Sequence, residues 1–339
     1  MKKFVVFLSV MTLISACARR ADGPEGLSSY RQSRLHLGTI VHLTVIAEKK
    51  DDARLDEAFR RVWSRLDDIY AIMTQEGERS DVAKINRAYP HPVRVDDATY
   101  AVIAAAGRLS DLTRGAFDIT VYPLIKLWGY WQQEGIGPRH EEILAVQEHI
   151  GNRFLRLIPP DKVQRLDPQT GIGLGGIAKG YAVDEAARIF RDEGFDNFYI
   201  EAGGDIYCGG VNADGRPWRI GIRHPRQPRR IIDVLLLSDM AVTTSGDYER
   251  FYFIHQQRWS HIINPITGYP QRGIVSATVI APRAMTADAL STALCVLPPR
   301  VGLPIIDRLG QGYAALVMQE SDKGSFIPKT SARYEEFKD

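Results

Sequence analysis

Between Asp52 and Met73 apolar side chains recur at three- and four-residue spacing: Leu55, Phe59, Val62, Trp63, Leu66, Ile69, Tyr70 and Met73. That period predicts a long amphipathic helix with one face on a core. Asp96–Leu112, with an alanine-rich face, predicts a second helix, and Glu141–Ile150 a third. A fourth opens at Ala178, where Ala182, Ala186, Ile189 and Phe190 share one face, and a fifth spans Ala284–Val296. Thr39–Ala47 alternates as a half-buried strand does. Strand patterns follow at Asn197–Ile200, Ile206–Val211, Trp218–Ile222, Ile231–Leu237, Phe251–His255 and Ala314–Val317, and Ile274–Ala281 reads as a buried strand. Strands arrive in runs rather than alternating strictly with helices. The fold class is therefore α+β, a mostly antiparallel sheet with packed helices, and not a doubly wound sheet.

The start of the chain has a different pattern. Lys2 and Lys3 precede a short apolar run, Phe4–Ile14, and then Ile14-Ser-Ala-Cys17. The run is too short for a membrane-spanning helix of ~20 residues. It reads as a signal peptide over residues 1–16, with Cys17 in a lipobox as the lipidation site. An ordinary secretory signal is the alternative. Residues 17–33 are polar and read as a lipidated tether, and 34–339 as one large domain, because no Pro/Ser-rich linker divides it. This places the protein in a bacterial cell envelope, anchored to the membrane through its N-terminal lipid and facing the periplasm.

With 45% hydrophobic and 25% charged residues the remainder is ordinary globular protein. A net charge of +2 gives no reason to expect nucleic acid as a partner. One local run, Arg223 to Arg230, is basic, and its prolines make it a surface loop, either solvated or docked on an acidic partner. Cys208 and Cys295 either pair in an oxidising compartment or remain buried thiols.

The chemistry concentrates in the run from Gly173 to Asp184, Gly-Leu-Gly-Gly-Ile-Ala-Lys-Gly-Tyr-Ala-Val-Asp. Glycines that open directly into a helix let a ligand approach the backbone. The helix N-terminus attracts an anion, and Lys179 adds a full positive charge. Phosphate and a plain tight turn both fit. Neither the Walker nor the dinucleotide spacing is present. Asp288 and Thr292 lie one helical turn apart, so both face one way, and both are hard oxygen donors suited to Mg²⁺ or Ca²⁺ rather than zinc. Asp288 could equally cap a helix. His261 is the natural acid–base group near neutral pH. Asp118 reads as a cap of the segment that follows it. Glu201-Ala-Gly-Gly-Asp205 reads as a structural bend, Thr243–Gly246 as a turn or a ligand contact, and Trp128 and Tyr130 as core.

Taken in order, Thr113-Arg-Gly-Ala-Phe-Asp-Ile-Thr120, Leu127-Trp-Gly129, the glycine run, Glu201–Asp205, Thr243–Arg250, His261-Ile-Ile-Asn-Pro-Ile-Thr-Gly268 and Ala287–Ala293 resemble the FAD:protein FMN transferases, the ApbE-like flavin transferases. The resemblance runs from about Gly38 to Met318 and implies an architecture related to the T-fold. It implies Mg²⁺ held by Asp288, Thr292 and the carbonyl of Ala178, with His261 acting at the flavin phosphate. It also implies FAD contacts from Leu37, Glu76, Ala116, Phe117, Asp118, Gly173, Gly176, Lys179, Thr244, Ser245 and Ile262. The implied reaction moves FMN from FAD to a Thr or Ser hydroxyl of an acceptor protein and releases AMP. The implied acceptors are membrane redox subunits exposed outside the cytoplasm.

The chain departs from the family pattern at Gly173 and Asn264, where aspartate is usual, at Glu76, where an aromatic is expected, and at Leu37, where methionine is common. The lost carboxylates are expected to weaken nucleotide grip or retune the acid–base pair. Two other readings follow: a Mg²⁺-dependent FAD pyrophosphatase giving FMN and AMP, and a non-catalytic flavin-binding lipoprotein.

Overall fold

The computed structural model describes residues 27–133, 135–248, 251–254, 257–321 and 325–339. The signal segment, Cys17 and the first part of the tether lie outside them. In chain order the elements are β1 (Leu27–His36), β2 (Thr39–Glu48), α1 (Asp52–Met73), α2 (Asp81–Arg87), β3 (Val93–Arg94), α3 (Asp97–Leu112), α4 (Tyr122–Gln133), α5 (His140–Gln147), β4 (Leu155–Ile158), β5 (Lys162–Arg165), α6 (Ala178–Asp192), β6 (Phe198–Ala202) and β7 (Asp205–Gly209). They continue with β8 (Trp218–His224), β9 (Gln227–Leu237), β10 (Met240–Gly246), β11 (Phe251–Ile254), β12 (Gln257–Ser260), β13 (Ile274–Ala281), α7 (Ala284–Val296), α8 (Pro299–Leu309), β14 (Ala314–Glu320) and β15 (Phe326–Thr330).

Eight strands form one antiparallel sheet in the order β1-β2-β6-β7-β10-β13-β14-β15. The expected α+β class therefore holds. The helices bury one face of the sheet: α1 contributes Leu55, Phe59, Val62, Trp63, Leu66 and Ile69, and α6 and α7 pack beside it. Tyr70, counted on that face by its spacing, is 52% exposed and lies off it. The β8–β9 hairpin covers the other face with Ile220, Ile222, Leu235 and Leu237 against Val242, Ile280 and Leu316. Cys208 belongs to this second layer and Cys295 to the helical one, and both are buried free thiols, so the pairing alternative falls away. A third, smaller core joins α4 and α5 to the β11–β12 hairpin, and there Trp128 donates its indole N–H to the Gly268 carbonyl at 2.8 Å. Trp128 is thus core, as expected; the side chain of Tyr130 lies outside the described ones.

The tether reading is corrected at its end. Leu27–Ser33 is paired with β2 along its whole length. As an edge strand it buries little beyond Ser28, so its polar composition imitates a linker while the backbone ladder fixes it. The run from Arg223 to Arg230 is also more ordered than a loop. It forms the tip of the β8–β9 hairpin, and Arg226 makes a two-pronged ion pair with Asp247 at 2.6 and 2.7 Å.

Helices α6 and α7 cap one another. Asp184 of α6 accepts the N–H groups of Ala284 and Met285 at 2.7 and 3.1 Å, at the start of α7. Asp288 of α7 accepts the N–H of Gly180 at 3.1 Å, at the start of α6. Each carboxylate satisfies donors that a helix leaves unpaired in its first turn. Burial pushes the Asp184 carboxyl up to about 6. The crossing is close because residue 180 is glycine: a β-carbon there would lie 2.4 Å from the Ala284 carbonyl oxygen, a backbone atom that cannot step aside. Gly180→Ala is therefore expected to destabilise by about 3 kcal/mol, despite alanine's better helix propensity. Chemical denaturation checks this, and an unchanged or raised midpoint would remove the argument.

Candidate functional site

One end of the sheet gathers the chemistry. The β1–β2 turn is Leu37-Gly38, both at positive φ (52° and 73°), as a tight two-residue hairpin requires. Beside it lies the β6–β7 turn at Gly203-Gly204, the expected bend, also at positive φ (60° and 93°). A β-carbon on Gly203 would lie 2.7 Å from Thr39 Oγ1, so the two turns touch. The Gly204 carbonyl in turn accepts the N–H of Thr244 at 3.3 Å.

Thr243–Gly246 is the last part of the interior strand β10, not a turn. Strand alternation then separates its hydroxyls. Ser245 points to the helices and bonds Ser291 Oγ at 2.7 Å, with Thr292 Oγ1 at 3.4 Å. Thr244 points to the opposite face and bonds Thr278 Oγ1 at 2.8 Å. Of the two expected flavin contacts, only Ser245 presents its hydroxyl to α7. Thr243, on the same side as Ser245, carries a buried hydroxyl with no hydrogen-bond partner among the described residues.

Below these hydroxyls sits a buried charge cluster. Asp205 and Asp288 are 1% and 3% exposed. Lys179 reaches both: its ammonium pairs with Asp205 and lies 3.9 Å from Asp288 Oδ2. Burial pushes the Asp288 carboxyl up, opposed by Lys179 and the Gly180 N–H. Sequence reasoning assigned Lys179 to an anionic ligand; the structure engages its charge with two buried carboxylates. A buried carboxylate beside the hydroxyls of Ser245 and Thr292 suits a hard divalent cation. Among the described residues no cluster of three His, Cys, Asp or Glu side chains offers a full protein cage. The oxygen donors of Asp288 and Thr292 fit a hard cation such as Mg²⁺ that keeps ligand positions for water and phosphate. Asp288 also caps a helix, but it is α6 across the crossing, not its own.

The glycine turn lies over this cluster. Gly176 faces both Thr292 and an aromatic ring: a β-carbon would be 3.4 Å from Thr292 Oγ1 and 3.3 Å from Phe117 Cε2. Gly173 is covered by Tyr122 and Gln75. Ala116 and Phe117 are buried beneath the turn in the main core. Asp118 is not available to a ligand through its carboxylate. It accepts bonds from Thr120 N at 2.8 Å, Ser110 Oγ at 3.0 Å, Asn152 N at 3.0 Å and the Thr120 hydroxyl, and is 5% exposed. It organises the loop, which is the capping alternative. Glu76 is exposed on the loop after α1 and close enough to Tyr122 to help raise that phenol's pKa, after burial.

His261 follows β12, half-buried. Its neighbours Ile262 and Ile263 point into different cores, the main one and the α4–α5 one, so the histidine sits where the two meet. Asn264 uses its side-chain oxygen to accept the N–H groups of Ile266 and Thr267 at 2.9 and 3.3 Å. An amide oxygen does this as well as a carboxylate does. The departure at Asn264 therefore preserves the turn that carries His261. Sequence reasoning missed Gln75, Tyr122 and Asp205 as site residues. Only Asp205 had a local signal, lying at the end of the Gly-Gly bend.

Fold and site together define an α+β protein with a buried cluster of carboxylates and hydroxyls under a glycine turn. The chain belongs to the ApbE family, whose pattern matches residues 37–317. The FAD:protein FMN transferase of Vibrio cholerae is 30% identical over 331 residues, 96% of each chain. The protein of that name from Escherichia coli K12 is 31% identical over 295 residues, covering 85% of this chain and 83% of its own. Among solved structures, the ApbE protein of Thermotoga maritima superposes with a TM-score of 0.81 at 35% identity, covering 92% of this chain and 99% of its own. The flavin transferase ApbE of Vibrio cholerae gives a TM-score of 0.79 at 30% identity, over 92% and 99% of the two chains.

Proposed function

We propose that this chain is an FAD:protein FMN transferase that moves FMN from FAD to a Thr or Ser hydroxyl of an acceptor protein. The observation that carries the reading is the buried Lys179–Asp205–Asp288 group beside Thr292 and under the glycine turn, in a chain that an FAD:protein FMN transferase matches over 96% of its length. Mg²⁺ held by Asp288, Thr292 and the Ala178 carbonyl would supply charge neutralisation at the pyrophosphate. The glycine turn before α6 lets the pyrophosphate approach the backbone closely. Lys179 holds the carboxylates apart from that anion and sets the pocket's charge. His261 takes the proton of the attacking hydroxyl as its oxygen bonds to the flavin-side phosphorus. The bond from that phosphorus to the bridging oxygen breaks, and AMP leaves. Positioning and charge neutralisation supply most of the rate in such transfers.

Intact-mass analysis of an acceptor incubated with FAD and Mg²⁺ tests the reading. The acceptor is expected to gain the mass of FMN while AMP appears in equal amount. Free FMN with an unlabelled acceptor would replace the reading with FAD pyrophosphatase. Bound, unchanged FAD would replace it with a flavin-binding protein.

The acceptors are membrane redox subunits exposed outside the cytoplasm. Lipid on Cys17 would hold the enzyme in the cell envelope beside them, facing the periplasm, and raise their effective concentration. Cys17→Ser is expected to move the protein into the soluble periplasmic fraction. A wild-type protein already soluble with an unmodified N-terminus would end the lipoprotein reading.

A further inference from the structure

We propose that Tyr122 and Gly173 are a matched steric pair, and that with Gln75 they form the wall that positions a planar ring of the FAD substrate on the glycine turn. The identity of the ligand rests on the transferase reading; the pairing does not.

Residue 173 has no side chain, and its space is taken. A β-carbon there would lie 3.1 Å from Tyr122 Cδ2, 3.3 Å from Tyr122 Cβ and 3.0 Å from Gln75 Nε2. The same ring continues along the turn, 3.5 Å from where a β-carbon of Gly171 would stand. Phe117 covers Gly176 in the same way at 3.3 Å. Two glycines of one turn therefore each face an aromatic ring, one from each side of the loop that links α3 to α4. Phe117 is 4% exposed and is core. Tyr122 is only half-buried, so part of its ring remains open to a ligand.

Gln75 adds the polar half of the wall. Its Oε1 is buried and has no hydrogen-bond partner among the described residues. A buried unpaired acceptor is costly and is tolerated where a ligand completes it. A planar heteroaromatic ring with an N–H on its edge has the matching chemistry: a face for Tyr122 and a donor for Gln75. Both rings of FAD, isoalloxazine and adenine, carry them. The glycine at 173 is therefore not a lost grip on the nucleotide but the condition for Tyr122 to lie on the turn. On this reading an aspartate at 173 is expected to strike Tyr122 and not to improve binding.

A double-mutant cycle on the full chain tests both halves, read by FAD affinity from flavin fluorescence and by thermal unfolding. Tyr122→Ala is expected to weaken FAD binding roughly 3- to 10-fold, the worth of one aromatic contact, while Tyr122→Phe retains it. Gly173→Ala is expected to weaken binding and lower the melting temperature in the wild type. In the Tyr122→Ala background it is expected to do neither, because the ring it would strike is gone. Gln75→Leu is expected to weaken FAD binding yet raise the melting temperature, a split that a purely structural glutamine would not give. Additive effects of Gly173→Ala and Tyr122→Ala overturn the pair. Unchanged FAD affinity in Tyr122→Ala overturns the wall. A non-additive melting cycle in a protein that binds no FAD keeps the steric pair and overturns the flavin assignment together with the transferase reading.

Discussion

Asp288→Ala is expected to abolish magnesium-dependent turnover of FAD, by at least about 10²-fold, because it removes the carboxylate assigned to the ion. The structure adds a second consequence. Asp288 Oδ2 also accepts the N–H of Gly180, so alanine leaves the start of α6 short of an acceptor and costs stability, on the order of 1–2 kcal/mol. Asp288→Asn separates the two roles. Its amide oxygen can still accept the Gly180 N–H while the charge is gone. It is expected to melt near the wild type and to be nearly as inactive as alanine. Thr292→Ala, which loses only a neutral hydroxyl, is expected to have the smaller effect. Titration of activity with Mg²⁺ in each variant checks the assignment, and an unchanged magnesium dependence in Asp288→Asn would sink it.

His261→Ala is expected to slow FMN transfer roughly 10²–10⁴-fold while FAD affinity changes little, since general-base assistance acts in the transition state. Equal losses in affinity and rate would instead make His261 a binding residue. Asn264→Asp is expected to be nearly silent in the same assay, because the side-chain oxygen already serves the Ile266 and Thr267 N–H groups.

Much of the fold was legible. Strong periodicity gave α1 and α7 their observed bounds, Asp52–Met73 and Ala284–Val296, and β13 likewise at Ile274–Ala281. Local signals failed where tertiary packing overrode them. The edge strand β1 hid in linker-like composition. Helix α4 hid because its apolar residues serve a separate small core rather than the main one. Strand β10 was masked by Thr, Ser and Gly, which read as a turn but here form an interior strand whose hydroxyls bond to its neighbours.

The sequence by itself determined the family-defining motifs, the α+β class and the donor pair Asp288 and Thr292, because a helix fixes which residues four apart share a face. It could also place a histidine beside a tight turn. Only the tertiary structure decided what those groups do. Lys179 is given to Asp205 and Asp288 because the α6–α7 crossing at Gly180 brings three charges together that lie far apart in the chain. Asp118 is withdrawn from the ligand because four donors converge on it. Thr244 is turned away because strands alternate, and Tyr122 is brought onto Gly173 by the packing of α4. Each of these outcomes is a competition for a partner in space, and a one-dimensional pattern holds no record of which partner wins.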